Sequence, residues 1–348
     1  MIPIVMKTWI YFVFLVILGA AVYVVFFNRP NDNPYGREEA GFNVDDTSSI
    51  GRIFIADYND QTILAERTDS GWMLNKKYKV LPSMLRLVMS TLHEQKVLYP
   101  VTKSAFDMAV KQLASYSTKV EIYSRSGCVI SKFYVGGAAP GNSGTFMMME
   151  GAKTPYVVHI ANHSGLLSSR YSGRIEDWRD RTVFRLPANE IKEVTVTYAD
   201  KPDNSFTIKK ENNVFSVEGA QGSVINKDNL NVHNANLYMQ YFADVNCEGY
   251  LNGKIGMDSV MRTAARHSVI DVAGVHGQQV HVEIFWMPIN QRSKNRVQTD
   301  ADVPDEYDSD RFYALINGNR DTVLIQRMVF RSILRKLKEF YPEVQSSN

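Results

Sequence analysis

The chain has 348 residues, 39 of them basic and 37 acidic, a formal net charge of +2, and 45% apolar against 22% charged residues. That balance excludes a general nucleic-acid binder, which carries a strong basic excess, and two cysteines, Cys128 and Cys247, exclude a disulfide framework or a four-thiolate zinc site. At about 150 residues per domain the length predicts two domains, and 21 Gly with 12 Pro are too few for a disordered or fibrous chain.

The first element is apolar. Thr8 to Phe27 reads TWIYFVFLVILGAAVYVVFF, without a charge, and at about 1.5 Å per residue it would span about 30 Å, the thickness of a bilayer core. Trp9, Tyr11 and Tyr23 lie toward its ends, and Lys7 with the free amine places the short side in the cytoplasm, although Arg29 and Arg37 follow the span. A cleaved signal peptide is the rival reading. The run continues past Gly19-Ala20-Ala21 with no small-x-small site after it, which favours an uncleaved anchor. Residues 1–27 are therefore expected to be a cytoplasmic stub and transmembrane anchor. Residues 28–49, broken by Pro30, Pro34 and Gly36, are expected to be a polar linker.

From Ile50 onward short strand-like runs dominate, and their order over about 50–170 recurs over about 191–340. Ile53 to Ile55, Thr62 to Leu64 and Gly71 to Leu74 open the first copy; Val194 to Thr197, Phe206 to Ile208 and Val214 to Val217 open the second. A helix follows in each. Pro82 to Lys96 places Leu85, Val88, Met89 and Leu92 at helical spacing, and Lys227 to Ala243 places Leu230, Leu237 and Tyr241. Second helices carry Phe106, Ala109, Val110 and Leu113, and Met257, Val260, Met261 and Ala264. Strands resume at Lys119 to Tyr123 and Val129 to Val135, against Ser268 to Val272 and Gln279 to Phe285. Thr145 to Met149 and Tyr156 to Ile160 match Phe312 to Ile316 and Thr322 to Ile325. Each copy ends in a helical stretch, short around Leu166 and long from Arg327 to Phe340. The expected fold is α+β: an N-terminal transmembrane helix followed by two related α+β domains of antiparallel sheets with helices, over 50–175 and 191–348, joined by a connector at 176–190.

Gly71-Trp72-Met73-Leu74-Asn75 with Tyr78 and a following helix, Val101 to Tyr116 leading into Lys119-Val120-Glu121-Ile122, Phe133-Tyr134-Val135-Gly136, Thr145-Phe146-Met147, Tyr156-Val157-Val158 and Trp178-Arg179-Asp180-Arg181 together resemble a bacterial membrane-anchored family catalogued as domain of unknown function number 4340. The resemblance implies a single-pass anchor with an extracytoplasmic domain, in some cases encoded beside gliding-type transporter components. It supplies no catalytic residues.

Chemical motifs are sparse. Gly141-Asn142-Ser143-Gly144 is similar to the nucleophile turn of trypsin-like proteases, yet His93, His159 and His163 form no partner motif, and a hairpin turn explains the same residues. His276 and His281 flank Gly277 as turn and strand residues; there is no HExxH and no ligand spacing with Cys128 or Cys247. Neither a Walker loop nor a GxGxxG between strand and helix is present, so no metal, cofactor, nucleotide or nucleic acid is expected. Two features break the symmetry of the copies. The loop 287–311 carries Arg292, Lys294 and Arg296, then Asp300, Asp302, Asp305, Glu306, Asp308 and Asp310, a segregation suited to a charged partner. The stretch from Arg327 to Phe340 sets Phe330, Ile333, Leu334, Leu337 and Phe340 against Arg327, Arg331, Arg335, Lys336 and Lys338.

The expected function is a non-enzymatic scaffold or accessory subunit of a bacterial envelope or transporter-associated complex, single-pass in the inner membrane with periplasmic domains and envelope protein partners. Its interaction residues would be Arg292, Lys294, Arg296, Asp305, Asp308, Arg331, Arg335 and Lys338. The alternatives are a ligand-binding module with its site in the cleft between the copies, and a serine hydrolase using Ser143.

Overall fold

The computed structural model describes residues 15–18, 36–163, 165–212, 214–219, 229–294 and 302–341. The chain divides into two units between Arg179 and Asp180, inside the segment expected as a connector.

In the first unit the strands β1 (Ile50–Ala56), β2 (Thr62–Thr68), β3 (Gly71–Leu74), β4 (Tyr78–Lys79), β5 (Gln95–Pro100), β6 (Thr118–Ser124), β7 (Val129–Ala138), β8 (Thr145–Met149) and β9 (Tyr156–Ile160) form one nine-stranded sheet in the order β4-β3-β2-β1-β6-β7-β8-β9-β5. Alternation along each strand decides what is buried. Ile53, Ile55, Val120, Ile122, Phe133 and Val135 share one face with Met84, Val88 and Leu92 of the helix Pro82–Glu94, which begins on its proline. On the opposite face Phe146 and Val157 pack with Ala109 of the helix Lys103–Tyr116.

The second unit pairs β10 (Thr182–Phe184) with β14 (Val245–Asn246) and builds an eight-stranded sheet from β11 (Ile191–Tyr198), β12 (Phe206–Glu211), β13 (Val214–Gly219), β15 (Gly249–Tyr250), β16 (Arg266–Gly274), β17 (Gln279–Pro288), β18 (Tyr307–Ile316) and β19 (Asp321–Gln326). Its order, β13-β12-β11-β16-β17-β18-β19-β15, repeats the first unit from β3 to β5. The agreement reaches single hydrogen bonds. β1 skips Gly51 between its pairs Ile50 with Ser124 and Arg52 with Tyr123, and β11 skips Lys192 between Ile191 with Gly274 and Glu193 with Ala273. The next hairpin turns on Gly127 (φ 86°) in one unit and Gly277 (φ 81°) in the other, a conformation that favours glycine. Arg125 N–H donates to Ser49 O, as Val275 N–H does to Glu190 O. The residue capping the first helix is tied in each case to a buried aromatic near the end of its unit: Leu81 N–H to Trp178 O at 2.6 Å, and Asn231 N–H to Phe340 O at 2.9 Å.

Several expectations are corrected. The transmembrane helix over Thr8 to Phe27 is overturned: among the described residues no helix is long and apolar enough to cross a membrane. Of that span residues 15–18 are described and are helical, and the rest of it lies outside the described residues. The single-pass inner-membrane placement, the periplasmic location of the domains and the membrane as a partner rested on that helix and fall with it. The polar linker is corrected as well, because Ala40, Phe42 and Val44 are buried in the first core. Gln95 Nε2 donates to Phe42 O at 2.5 Å and Ser131 Oγ to Gly41 O at 3.0 Å, which binds the segment to the sheet.

The long C-terminal helix is two short pieces, Arg327–Phe330 and a 3₁₀ turn at Leu337–Phe340. Two carbonyls between them turn outward to tertiary donors, Tyr238 Oη to Ile333 O and Tyr198 Oη to Arg335 O, each at 2.9 Å. Phe330, Ile333 and Phe340 are buried in the second core. The helix Val232–Gln240 buries Ala235, Tyr238 and Met239 and leaves Leu237 exposed, one position off the expected stripe. β17 runs on to Pro288 and β18 starts at Tyr307, so the long connection is shorter than 287–311.

Trp178 is fully buried and its Nε1 donates to Ser172 O at 2.8 Å. Trp178→Ala should cost about 3–5 kcal/mol by urea denaturation; a loss under about 1 kcal/mol would contradict its place in closing the first core.

Candidate functional site

In β16 the pairing of Arg266 with Phe285 is followed by that of Ser268 with Ile284, which leaves His267 as the extra residue of a bulge. His267 O accepts from Ala199 N–H at 3.0 Å, and Trp286 N–H reaches Ala265 O at 2.9 Å. Alternation alone would put His267 on the face opposite Ser268 and Ile270. With the bulge, its ring lies 4.6 Å from Trp286, 4.8 Å from Phe312 and 5.7 Å from Tyr198 at the margin of the core. Trp286 in turn stacks on Tyr307 at 5.1 Å. Burial, with the charge of Arg327 adding to it, holds the His267 imidazole down to about 4, so it is neutral at neutral pH.

Tyr198, His267 and Trp286 form the aromatic side of a cavity of about 230 Å³. Asp200, Lys201 and Asn204 from the turn after β11 form a second side, Asp302, Val303 and Pro304 from the β17–β18 connection a third, and Lys336 a fourth. At the rim Asp302 accepts from Lys336 Nζ at 2.6 Å and from Lys201 Nζ at 3.3 Å, and these ammonium groups, Lys336 foremost, hold its carboxyl below the usual range. The cavity exists because the connection and the terminal segment meet the end of β11. With the units aligned through their shared hairpin, the first unit carries Ser117, Gly136 to Ala138 and Thr145 in this region, all small.

The sequence-predicted interaction residues do not form one site. Arg292 is exposed, with Nη1 3.9 Å from Glu248 Oε1, the carboxylate that also accepts both Nε and Nη2 of Arg311 at 2.6 Å. Lys294, Asp305, Arg331 and Lys338 are exposed. Arg296 lies outside the described residues. Asp308 is 1% exposed and accepts from Asp310 N–H, Arg311 N–H and Asn290 Nδ2, so it holds the chain's own backbone instead of a partner. Arg335 pairs with Glu339 at 2.6 Å beside the Tyr241 ring. Ser143 Oγ is engaged by Tyr99 Oη at 2.9 Å and donates to Pro140 O at 3.1 Å, with no imidazole among these partners. His281 is clasped by Asp271 at 2.6 Å, which raises its pKa, with Glu283 at 3.7 Å. Among the described residues no group of three or more His, Cys, Asp or Glu could hold a metal ion.

A larger recess, about 560 Å³, lies over Asp271 and His281 on the polar face of the second sheet, where those two side chains already satisfy one another. The residues that sequence reasoning missed are His267, Trp286 and Tyr198. One signal for them is legible: Ile284, Phe285, Trp286 and Met287 are consecutive apolar residues that break the alternation, as in a strand covered on both faces, and Ile284, Phe285 and Trp286 are all buried.

A family model described as a domain of unknown function (DUF4340) matches residues 72–260, more than half of the chain and part of both units. Tyr198, Asp200, Lys201 and Asn204 fall inside the matched stretch; His267, Trp286 and Lys336 lie beyond it. No curated protein and no solved structure matches the chain.

An unfolded histidine titrates near 6.5. Because the folded value is depressed, the stability that neutral His267 contributes is present above about pH 6.5 and lost as pH falls toward about 4, on the order of 3 kcal/mol at the acid end. Urea midpoints compared between pH 6.5 and 5 should fall more steeply for the wild type than for His267→Phe. Parallel slopes would contradict the buried neutral imidazole.

Proposed function

The chain belongs to DUF4340, a family of unknown function, and we propose that it works by binding, as a scaffold or accessory subunit that holds a protein partner by one side chain seated in the Trp286–His267 cavity. The observation that carries this reading is where the cavity lies: one of its four sides, Asp302 to Pro304, comes from the β17–β18 connection, the connection that is much longer than its β7–β8 counterpart in the first unit. Its volume of about 230 Å³ falls below the range of roughly 300–1,000 Å³ typical of small-molecule sites and suits one apolar or aromatic side chain. Aromatic walls at the margin of a core, with polar groups at the rim, are the pattern of an interface anchor. Lys201 and Lys336 would face a carboxylate neighbouring the anchored side chain.

Binding also fits the chemistry of the lining. A histidine held down to about 4 is a weak base near neutral pH, and neither serine nor cysteine lines the cavity among the described residues. Residues at the mouth test the proposal without disturbing the core. Tagged wild-type protein, cross-linked in its native cells, should recover a defined partner whose yield falls about tenfold with Lys201→Glu or Lys336→Glu, both at the rim, as loss of an interface anchor does. Equal recovery by all three forms would overturn the proposal.

A further inference from the structure

The first unit holds a polar cleft of about 400 Å³ between the end of β2 and the β6–β7 turn. Three arginines line it, Arg52 from β1, Arg67 from β2 and Arg125 from the turn. The cleft owes its shape to the bulge in β1. A Cβ at Gly51 would lie 2.6 Å from Arg125 Cα, so only glycine lets the turn settle against β1 with Arg125 N–H on Ser49 O at 3.1 Å. Arg67 Nη1 and Arg125 Nη2 then donate to the same acceptor, Ser48 O, at 3.3 and 2.8 Å. The two cationic nitrogens are thus no more than about 6 Å apart, and like charges at that distance repel.

Nothing acidic answers them directly. Arg52 lies over the Tyr123 ring at 3.9 Å, and among the described residues none of the three arginines makes an ion pair. Asp46 is the acid that feels Arg125, but its Oδ1 is already taken by Ser48 N–H at 3.0 Å and Ser48 Oγ at 2.6 Å. Glu66 and Asp69 line the cleft as well. The fold does not demand the arginines, since the matching positions of the second unit are Glu193, Lys210 and Val275.

We propose that this cleft binds a phosphate ester carried on a hydroxylated molecule. The guanidinium forks of Arg67 and Arg125 match phosphate oxygens, the bound charge relieves their repulsion, and the Glu66 and Asp69 carboxylates accept from ligand hydroxyls. This site is in a different unit from the aromatic cavity and stands independently of it.

Calorimetric titration of the full chain at fixed ionic strength, with glucose 6-phosphate, inorganic phosphate and glucose as separate probes, tests the assignment. Glucose 6-phosphate should bind, inorganic phosphate about tenfold more weakly, and glucose not measurably; one charged hydrogen-bond set is worth about that factor. Arg67→Gln/Arg125→Gln should lose glucose 6-phosphate binding about tenfold or more, with a cooperative melt in chloride buffer showing that the variant is folded. Arg125→Lys, which keeps the charge and loses the fork, should weaken binding even if the double variant folds poorly. Unchanged affinity in the variants, or no binding of either phosphate at millimolar concentration, would overturn the site. Equal affinity for the two phosphates would overturn the hydroxylated ligand.

Discussion

A helix laid across a sheet leaves its first backbone N–H groups without partners inside the helix. In both units the residue capping the covering helix finds an acceptor in the carbonyl of a buried aromatic from the unit's last segment, Trp178 in one and Phe340 in the other. The end of each unit therefore locks the helix that closes its own core. Neither core is complete until its last short helix is seated, and the rest of the architecture follows from that closure. In the second unit it requires the chain after Phe330 to leave the helix, pass Tyr238 and Tyr198, which take the carbonyls of Ile333 and Arg335, and re-form a turn ending at Phe340. That path carries Lys336 to the end of β11. The aromatic cavity is a by-product of how the core is shut.

One backbone plan thus carries two recesses of opposite character. Where the first unit has Ser117, small residues at 136–138 and Thr145, the second has His267, Trp286 and Phe312 in mutual ring contact. Where the second has Glu193, Lys210 and Val275, the first has three arginines around a polar cleft. Shared hydrogen bonds fix the strands, and the side chains at the strand ends and turns are left to differ. Those ends and turns are free to differ because the inward residues, alternating along every strand, are committed to burial.

Strands were legible because burial on one face imposes period two. Ile53-Phe54-Ile55, Thr62-Ile63-Leu64 and Gly71 to Leu74 lie in β1, β2 and β3, and the turn glycines announced the hairpins. The same period-two signal is present at Phe42 and Val44, both buried in the first core, but neighbouring proline, glycine and acidic residues mask it with the composition of a tether. Helix faces were less legible, because a hydroxyl can decide them: Tyr238 takes the inward position beside Leu237 since its Oη has Ile333 O to meet. Asp308 looked like surface charge, and only the fold reveals three donors converging on it. The apolar run at Thr8 to Phe27 was read from hydropathy, and no described helix has the length that reading required. The cavity had no local signature. Tyr198, His267, Trp286 and Lys336 are far apart in sequence, and a bulge in β16 together with the broken terminal segment brings them together.

Amide hydrogen exchange of the full chain, with and without its cross-linking partner, bears most directly on the claim that the second unit binds through this cavity. The account predicts added protection confined to 198–204, 302–304 and the chain around Lys336, with exchange in the first unit unchanged. Protection concentrated elsewhere, with these three segments exchanging as in the free protein, would contradict it.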